Sequence, residues 1–252
     1  MSRVFLIILC FFALSAQRDP ILVPEVSQHE VQVRQGFTGT ELILFGAILD
    51  PSGQRAGRKY DIVVILKGPS EPIRLREKER IGPIWMNAES TAFRSAPSFF
   101  AVASSSARIA DIVDERTAAI YELGLDYIQL SPSGTIDPEE QARFTAGLVD
   151  LRERQGLYKE SMEGVRISEQ VLYQARISLP SNVQTGTYTA ETFAITRGRV
   201  IASAIAEVEV KKVGFERFVE LFSQQQEFWY GLLAVSLSIF MGWVAGRLFA
   251  LI

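Results

Sequence analysis

From Phe228 to Gly246 the chain carries no charged side chain. A run of about 19 such residues makes roughly 28 Å of helix, enough to cross the hydrocarbon core of a bilayer. The sequence therefore predicts a transmembrane helix over Phe228–Ile252. A second apolar run sits at the N-terminus. Arg3 and the free amine precede Val4–Leu14, a stretch too short to span comfortably, and the small residues Ala13, Ser15 and Ala16 cluster at its end. This pattern predicts a signal peptide over residues 1–16, with the mature chain starting near Gln17. An uncleaved N-terminal anchor is the alternative. The expected architecture is an exported domain tethered by one C-terminal helix.

Charge around that helix argues the other way. Lys211, Lys212 and Arg217 precede it and only Arg247 follows the apolar run, so the positive-inside rule alone favours the inverted orientation. The signal peptide favours export, and large domains translocate largely regardless of local charge. The single cysteine, Cys10, lies in the leader. The mature chain is then expected to form no disulfide and no thiolate metal site, and its core alone must hold it together.

Between the two ends the segment from 20 to 106 alternates apolar runs with turn signals. Strands are expected over Glu30–Arg34, Glu41–Leu49, Tyr60–Lys67, Ile73–Lys78, Ile84–Asn87 and Phe99–Ser104, divided by Gly- and Pro-containing turns. LILFGAIL and YDIVVIL are almost wholly apolar, as expected of strands buried on both faces or in a sandwich core. Residues 107–156 change to helical spacing. Ile109, Ile112, Val113, Ile120 and Leu123 mark one helix with a stop at Gly124. Asp137-Pro138-Glu139-Glu140 caps a second, with Phe144, Leu148 and Leu151 as its apolar stripe and Gly156 at its end. Strands resume over Val165–Glu169, Leu172–Leu179, Gly186–Thr196 and Arg199–Lys211, the last two joined by a turn at Arg197-Gly198-Arg199.

Gly186-Thr187-Tyr188 after a Pro-initiated loop is similar to immunoglobulin-like sandwiches, in which such a tyrosine bonds back to the loop backbone. The expected fold is mainly β: an immunoglobulin-like β-sandwich over residues 17–212 with a helical insertion, then an amphipathic juxtamembrane helix over 213–227. That last helix would lie either in the membrane interface or on the sandwich.

Chemistry is sparse. His29 is the only histidine, which excludes a histidine zinc cluster and leaves no Ser-His pair beyond that one residue. No phosphate-binding loop, nucleophile elbow or dinucleotide fingerprint occurs. No enzymatic activity, no cofactor and no nucleic-acid partner is expected. Arg74, Arg76, Lys78 and Arg80 alternate along a strand and so share a face. They are either an anion-binding ladder or the protective charge of an edge strand. Trp85 with Asn87, and Phe99 with Phe100, either line a pocket or fill the core. In the C-terminal helix Ala234, Ser238, Gly242 and Gly246 recur every four residues, a small-residue face against which a second membrane helix could pack. The alternative is a lone anchor. Membrane lipid and a membrane-protein partner, or self-association through that helix, are the expected contacts.

The chain resembles a family of alphaproteobacterial transmembrane proteins of unknown function. The resemblance rests on Glu41–Ala47, on Tyr60–Val64 with Lys67-Gly68-Pro69, and on Arg76–Arg80 leading to Ile84–Asn87. Ala96–Ser105 and Gly214–Phe218 through Tyr230–Ala234 add to it. It implies no catalytic residues. It implies a place in the bacterial inner membrane with most of the chain in the periplasm. It also points to a transport partner of the sulfite-exporter permease type, by the association that genes of the family often lie near such permeases. A periplasmic anion- or solute-binding sensor using the Arg74 face is the alternative function.

Overall fold

A computed structural model describes residues 20–34, 36–49, 60–106, 108–214, 219 and 222–249. The expected signal peptide and Cys10 lie outside them, as does part of the expected juxtamembrane helix, of which residues 222–225 are helical.

Thirteen strands are described: β1 Ile21–Val26, β2 Glu30–Val33, β3 Gly39–Leu49, β4 Asp61–Lys67, β5 Ser70–Ile81, β6 Ile84–Pro97, β7 Phe100–Ser104, β8 Ser131–Pro132, β9 Tyr158–Ser161, β10 Val165–Ser168, β11 Leu172–Pro180, β12 Gly186–Thr196 and β13 Arg199–Lys212. Three helices join them: α1 Glu115–Tyr121, α2 Pro138–Arg154 and α3 Glu227–Phe249. The fold is mainly β, with one C-terminal helix of membrane-spanning length.

Two sheets face each other. The first has the order β1-β3-β11-β10 and the second β2-β13-β12-β4-β7-β9. Period-two alternation sends Leu42, Leu44 and Ile48 of β3 and Tyr173, Ala175, Ile177 and Leu179 of β11 inward. They meet Ile62, Val64 and Leu66 of β4 and Tyr188 and Ala190 of β12, all buried. The Tyr173 hydroxyl reaches Thr192 Oγ1 across the gap at 3.4 Å. That crossing needs space: a Cβ at Gly46 would run into the Tyr173 ring and the Val23 carbonyl oxygen. The tyrosine expected at the corner is there, its hydroxyl donating to the Gln184 carbonyl at 2.8 Å. Burial pushes its pKa up to about 12.

The inserted segment forms a third layer on the outer face of the second sheet. Val63, Ile65, Phe100 and Phe193 point into it, and Tyr121 of α1 stacks against Phe193 with ring centroids 5.4 Å apart. This is why every residue of β7, and all of β4 between its end residues, is buried. For β4 the expectation of burial on both faces is met.

For β3 it is not. Ile43, Phe45, Ala47 and Leu49 face away from the partner sheet and no layer covers them fully. The first helix is also shorter than its spacing suggests. Ile109–Asp111 is a single 3-10 turn, Val113 bridges to Gly198, and α1 stops at Glu122, whose φ of 52° is left-handed. Ile120 of its expected apolar stripe is exposed. The second helix begins as expected, with Asp137 Oδ1 accepting from the Glu139 amide at 2.9 Å and Pro138 in the first turn. It ends at Gly156, φ 71°, where the Gly156 and Leu157 amides donate to the Glu153 and Arg152 carbonyls. Phe144 and Leu148 are buried, but Leu151 is exposed.

Candidate functional site

The longest departure from the sandwich starts three residues beyond β4. β5 and β6 form one continuous antiparallel hairpin from Ser70↔Pro97 to Ile81↔Ile84, where the sequence suggested two short separate strands. Its root is packed: Phe93 is fully buried, and β8 pairs with it at Phe93 and Ser95. Arg152 of α2 pairs with Glu71 at 2.6 Å, and Arg143 pairs with both Glu77 and Glu89. Beyond that brace the arm stands free, and every residue from 76 to 90 is exposed on both faces.

The register assigns the two faces of this arm. Paired residues share a face, so Arg74↔Ala92, Arg76↔Ser90, Lys78↔Asn87 and Arg80↔Trp85 lie on one side. Arg74, Arg76, Lys78 and Arg80 are therefore brought together in a row, with Trp85 and Asn87 opposite its far end. The other side holds Glu79↔Met86 and Ile81↔Ile84 at the tip. A register shift between Glu77 and Lys78, with Ala88 as the extra residue, marks where the braced part gives way to the tip. Of the two readings for Phe99 and Phe100 the core one holds, and both are buried. Trp85 is not: it is 66% exposed and does not pack in the core. Its place was hidden because alternation alone does not reveal that a hairpin has solvent on both sides.

Along α3, the window Glu227–Arg247 is long and apolar enough to span a membrane, and none of it is buried against the rest of the chain. Ala234, Ser238, Gly242 and Gly246 follow one another along one face. The Ser238 hydroxyl donates to the Ala234 carbonyl at 2.9 Å, so it is satisfied within its own helix. Cβ atoms built at Gly242 and Gly246 meet nothing within 4 Å, which leaves a shallow open groove.

The titratable clusters read as structural ties. Lys67 Nζ lies 2.6 Å from Glu122 and 3.3 Å from Glu191 beside a groove of about 300 Å³. Burial would lower the ammonium pKa, but the two carboxylates outweigh it and the pKa is raised. An amine nucleophile needs the reverse. Asp61 accepts from Ser106 at 2.6 Å and from Ser105 at 3.3 Å, closing the chain after β7 onto β4. His29 is exposed and pairs with Glu25 at 3.1 Å. Among the described residues no three His, Cys, Asp or Glu side chains converge as metal ligands.

One surface was not anticipated. On the outer face of the first sheet the register sets Ile21 beside Leu49, and Val23, Ala47 and Leu172 in one row, with Phe45 in the next. Ile21, Val23, Phe45, Leu49 and Leu172 are between 40% and 58% exposed. They form a flat apolar patch rimmed by Glu25, Gln174 and the Glu41–Arg176 pair. The signal was present in LILFGAIL: a strand covered on only one side does not need apolar residues at every position.

A family model described as "Putative transmembrane protein (Alph_Pro_TM)" matches residues 21–250. No curated protein matches the chain. No solved structure matches it.

Proposed function

The chain belongs to this family of transmembrane proteins, and from that premise we propose that it is a membrane-anchored interaction protein without enzymatic activity. In this reading α3 holds the protein in the bacterial inner membrane and the sandwich works in the periplasm as an accessory to another envelope protein. The resemblance makes a transporter of the sulfite-exporter type the first candidate partner. The observation that carries the reading is the flat apolar patch of Ile21, Val23, Phe45, Leu49 and Leu172. Contiguous exposed apolar surface rimmed by polar groups is characteristic of protein–protein contact. The open small-residue face of α3 adds a second contact inside the bilayer.

The alternative is an anion- or solute-binding sensor, favoured by the four cations on one face of the β5–β6 hairpin. That face is an open ribbon in solvent. It offers no concavity in which an anion would lose water and gain from converging donors, so it ranks second.

Extraction in mild detergent, followed by identification of co-purifying proteins, tests the proposal. Wild type should retain a defined membrane protein. Phe45→Ser with Leu172→Ser, or Gly242→Leu with Gly246→Leu, should lose it at matched expression. Equal recovery with all three forms would refute the interaction reading.

A further inference from the structure

The tip of the β5–β6 hairpin has a composition that water does not explain. Ile81, Ile84, Trp85 and Met86 adjoin one another around the Gly82-Pro83 turn, and all are more than half exposed. Lys78 and Arg80 sit directly behind them, and the Arg80 Nε donates to the Gly82 carbonyl at 3.1 Å. An apolar apex with a tryptophan, backed by cations, matches the layering of a membrane surface. Acyl chains accept the aliphatic side chains, tryptophan prefers the headgroup boundary, and anionic headgroups attract Lys and Arg. Arg143 pairs with Glu77 and Glu89 and offsets one of their two charges at the braced end of the arm, and Glu79 is the one carboxylate of the free arm that it does not reach.

The topology puts this arm at the right end of the sandwich. Lys67 at the end of β4 pairs with Thr189, and Gly186 on the same strand pairs with Val210 near the end of β13. The hairpin root and the exit of β13 therefore share one end of the second sheet. A Cβ at Gly186 would sit 3.0 Å from the Pro69 ring, so the root abuts β12 directly. Two strand spacings, about 10 Å, separate the hairpin root from the strand that leads on to α3. The chain from the end of β13 to α3, residues 213–226, includes the helical residues 222–225 and so reaches at most about 40 Å. The hairpin is about 40 Å long, so tip and tether are of matched reach.

We propose that the hairpin tip, Ile81 to Asn87, dips into the lipid interface of the same membrane that α3 crosses, with Lys78 and Arg80 against anionic headgroups. It thereby gives the sandwich a second, peripheral foothold beside its covalent one. This rests on the reading of α3 as the anchor. The occupant is lipid rather than protein because the apex is narrow and convex, cationic behind, and rooted beside the strand that leads to α3.

The chain contains three tryptophans, of which Trp85 alone lies outside α3, so it can serve as its own probe. The full-length protein with Trp229→Phe and Trp243→Phe is placed in nanodiscs of phosphatidylcholine and phosphatidylglycerol, with and without brominated acyl chains. Trp85 emission should be blue-shifted and lose more than half its intensity to shallowly brominated lipid, with less loss to deep bromine. Adding Lys78→Glu and Arg80→Glu should restore much of that intensity. Emission typical of water, unquenched by bromine and freely quenched by acrylamide, overturns the proposal. Shielding of Trp85 in native membranes but not in pure-lipid nanodiscs also overturns it, because the tip then docks on protein. A parallel form with Trp85→Phe and Trp229→Phe reports on Trp243 alone. Quenching of Trp243 without quenching of Trp85 defeats only the hairpin proposal, whereas loss of both defeats the anchor itself.

Discussion

β3 and β4 are both apolar in sequence, yet the fold uses them differently. β4 lies in the middle of three layers, so Ile62, Val64 and Leu66 face the first sheet while Val63 and Ile65 face the helical insertion. β3 lies in an outer layer: Leu42, Leu44 and Ile48 are buried, but Phe45 and Leu49 look outward. The difference teaches that apolar excess has two causes. In β4 it is accounted for inside the molecule. In β3 half of it is not, and that surplus is the exposed patch on which the proposed contact rests.

The sharpest way to break this comparison is to place a carboxylate at matched positions. Val63→Asp should cost about 3–5 kcal/mol or unfold the domain, because it buries an unpaired charge between two layers. Phe45→Asp should cost less than about 1 kcal/mol, since the group meets water. Denaturant titration of both variants decides it; similar losses would mean that the outer face of β3 is covered. Next in size, Gly46→Ala should destabilise by about 1–3 kcal/mol, because the added carbon collides with Tyr173 and the Val23 backbone. A Tyr173→Phe background, which keeps the ring, should not rescue it.

Tyr188→Phe sharpens the inter-sheet side of the contrast. Losing the hydrogen bond to Gln184 should cost about 1 kcal/mol at neutral pH. The folded pKa is raised to about 12 by burial, so this group's contribution is complete below the ordinary tyrosine pKa of about 10 and is lost as pH rises from there towards 12. The variant should therefore show a shallower loss of stability than wild type between those limits in pH-dependent unfolding. Phe45→Ser with Leu172→Ser should have the smallest effect on folding, within about 0.5 kcal/mol. A larger loss would assign the patch to the core.

How much of this was legible follows from which constraints are local. The strand pattern, the Asp137 cap, the Arg197-Gly198 turn and the Tyr188 corner are fixed by residues a few positions apart, and they read directly. β1 escaped notice because Pro24 interrupts it, which only an edge strand tolerates, and β1 is an edge strand. β9 is short and polar outside Tyr158, so nothing in it but its parallel pairing with β7 declares a strand. The alternation of Arg74, Arg76, Lys78 and Arg80 was visible, but that Trp85 stands opposite Arg80 depends on a register set by the Gly82-Pro83 turn. The layer that covers β4 and spares β3 depends on where a segment inserted some 40 residues later comes to rest. That is non-local and has no signature within either strand.

The last strand before the tether has a mechanical consequence. β13 is bonded to β12 from Arg199 to Val210, β2 runs parallel to its final residues, and the Val213 amide donates to the Val33 carbonyl at 3.0 Å. A pull transmitted from α3 enters at Lys212 along the axis of that strand. It loads the whole ladder in shear, so the bonds must yield together rather than peel one after another. Lateral drag would then be borne by β13 together with its two sheet neighbours, β2 and β12, and the domain should stay folded under tension that would unzip a strand pulled sideways.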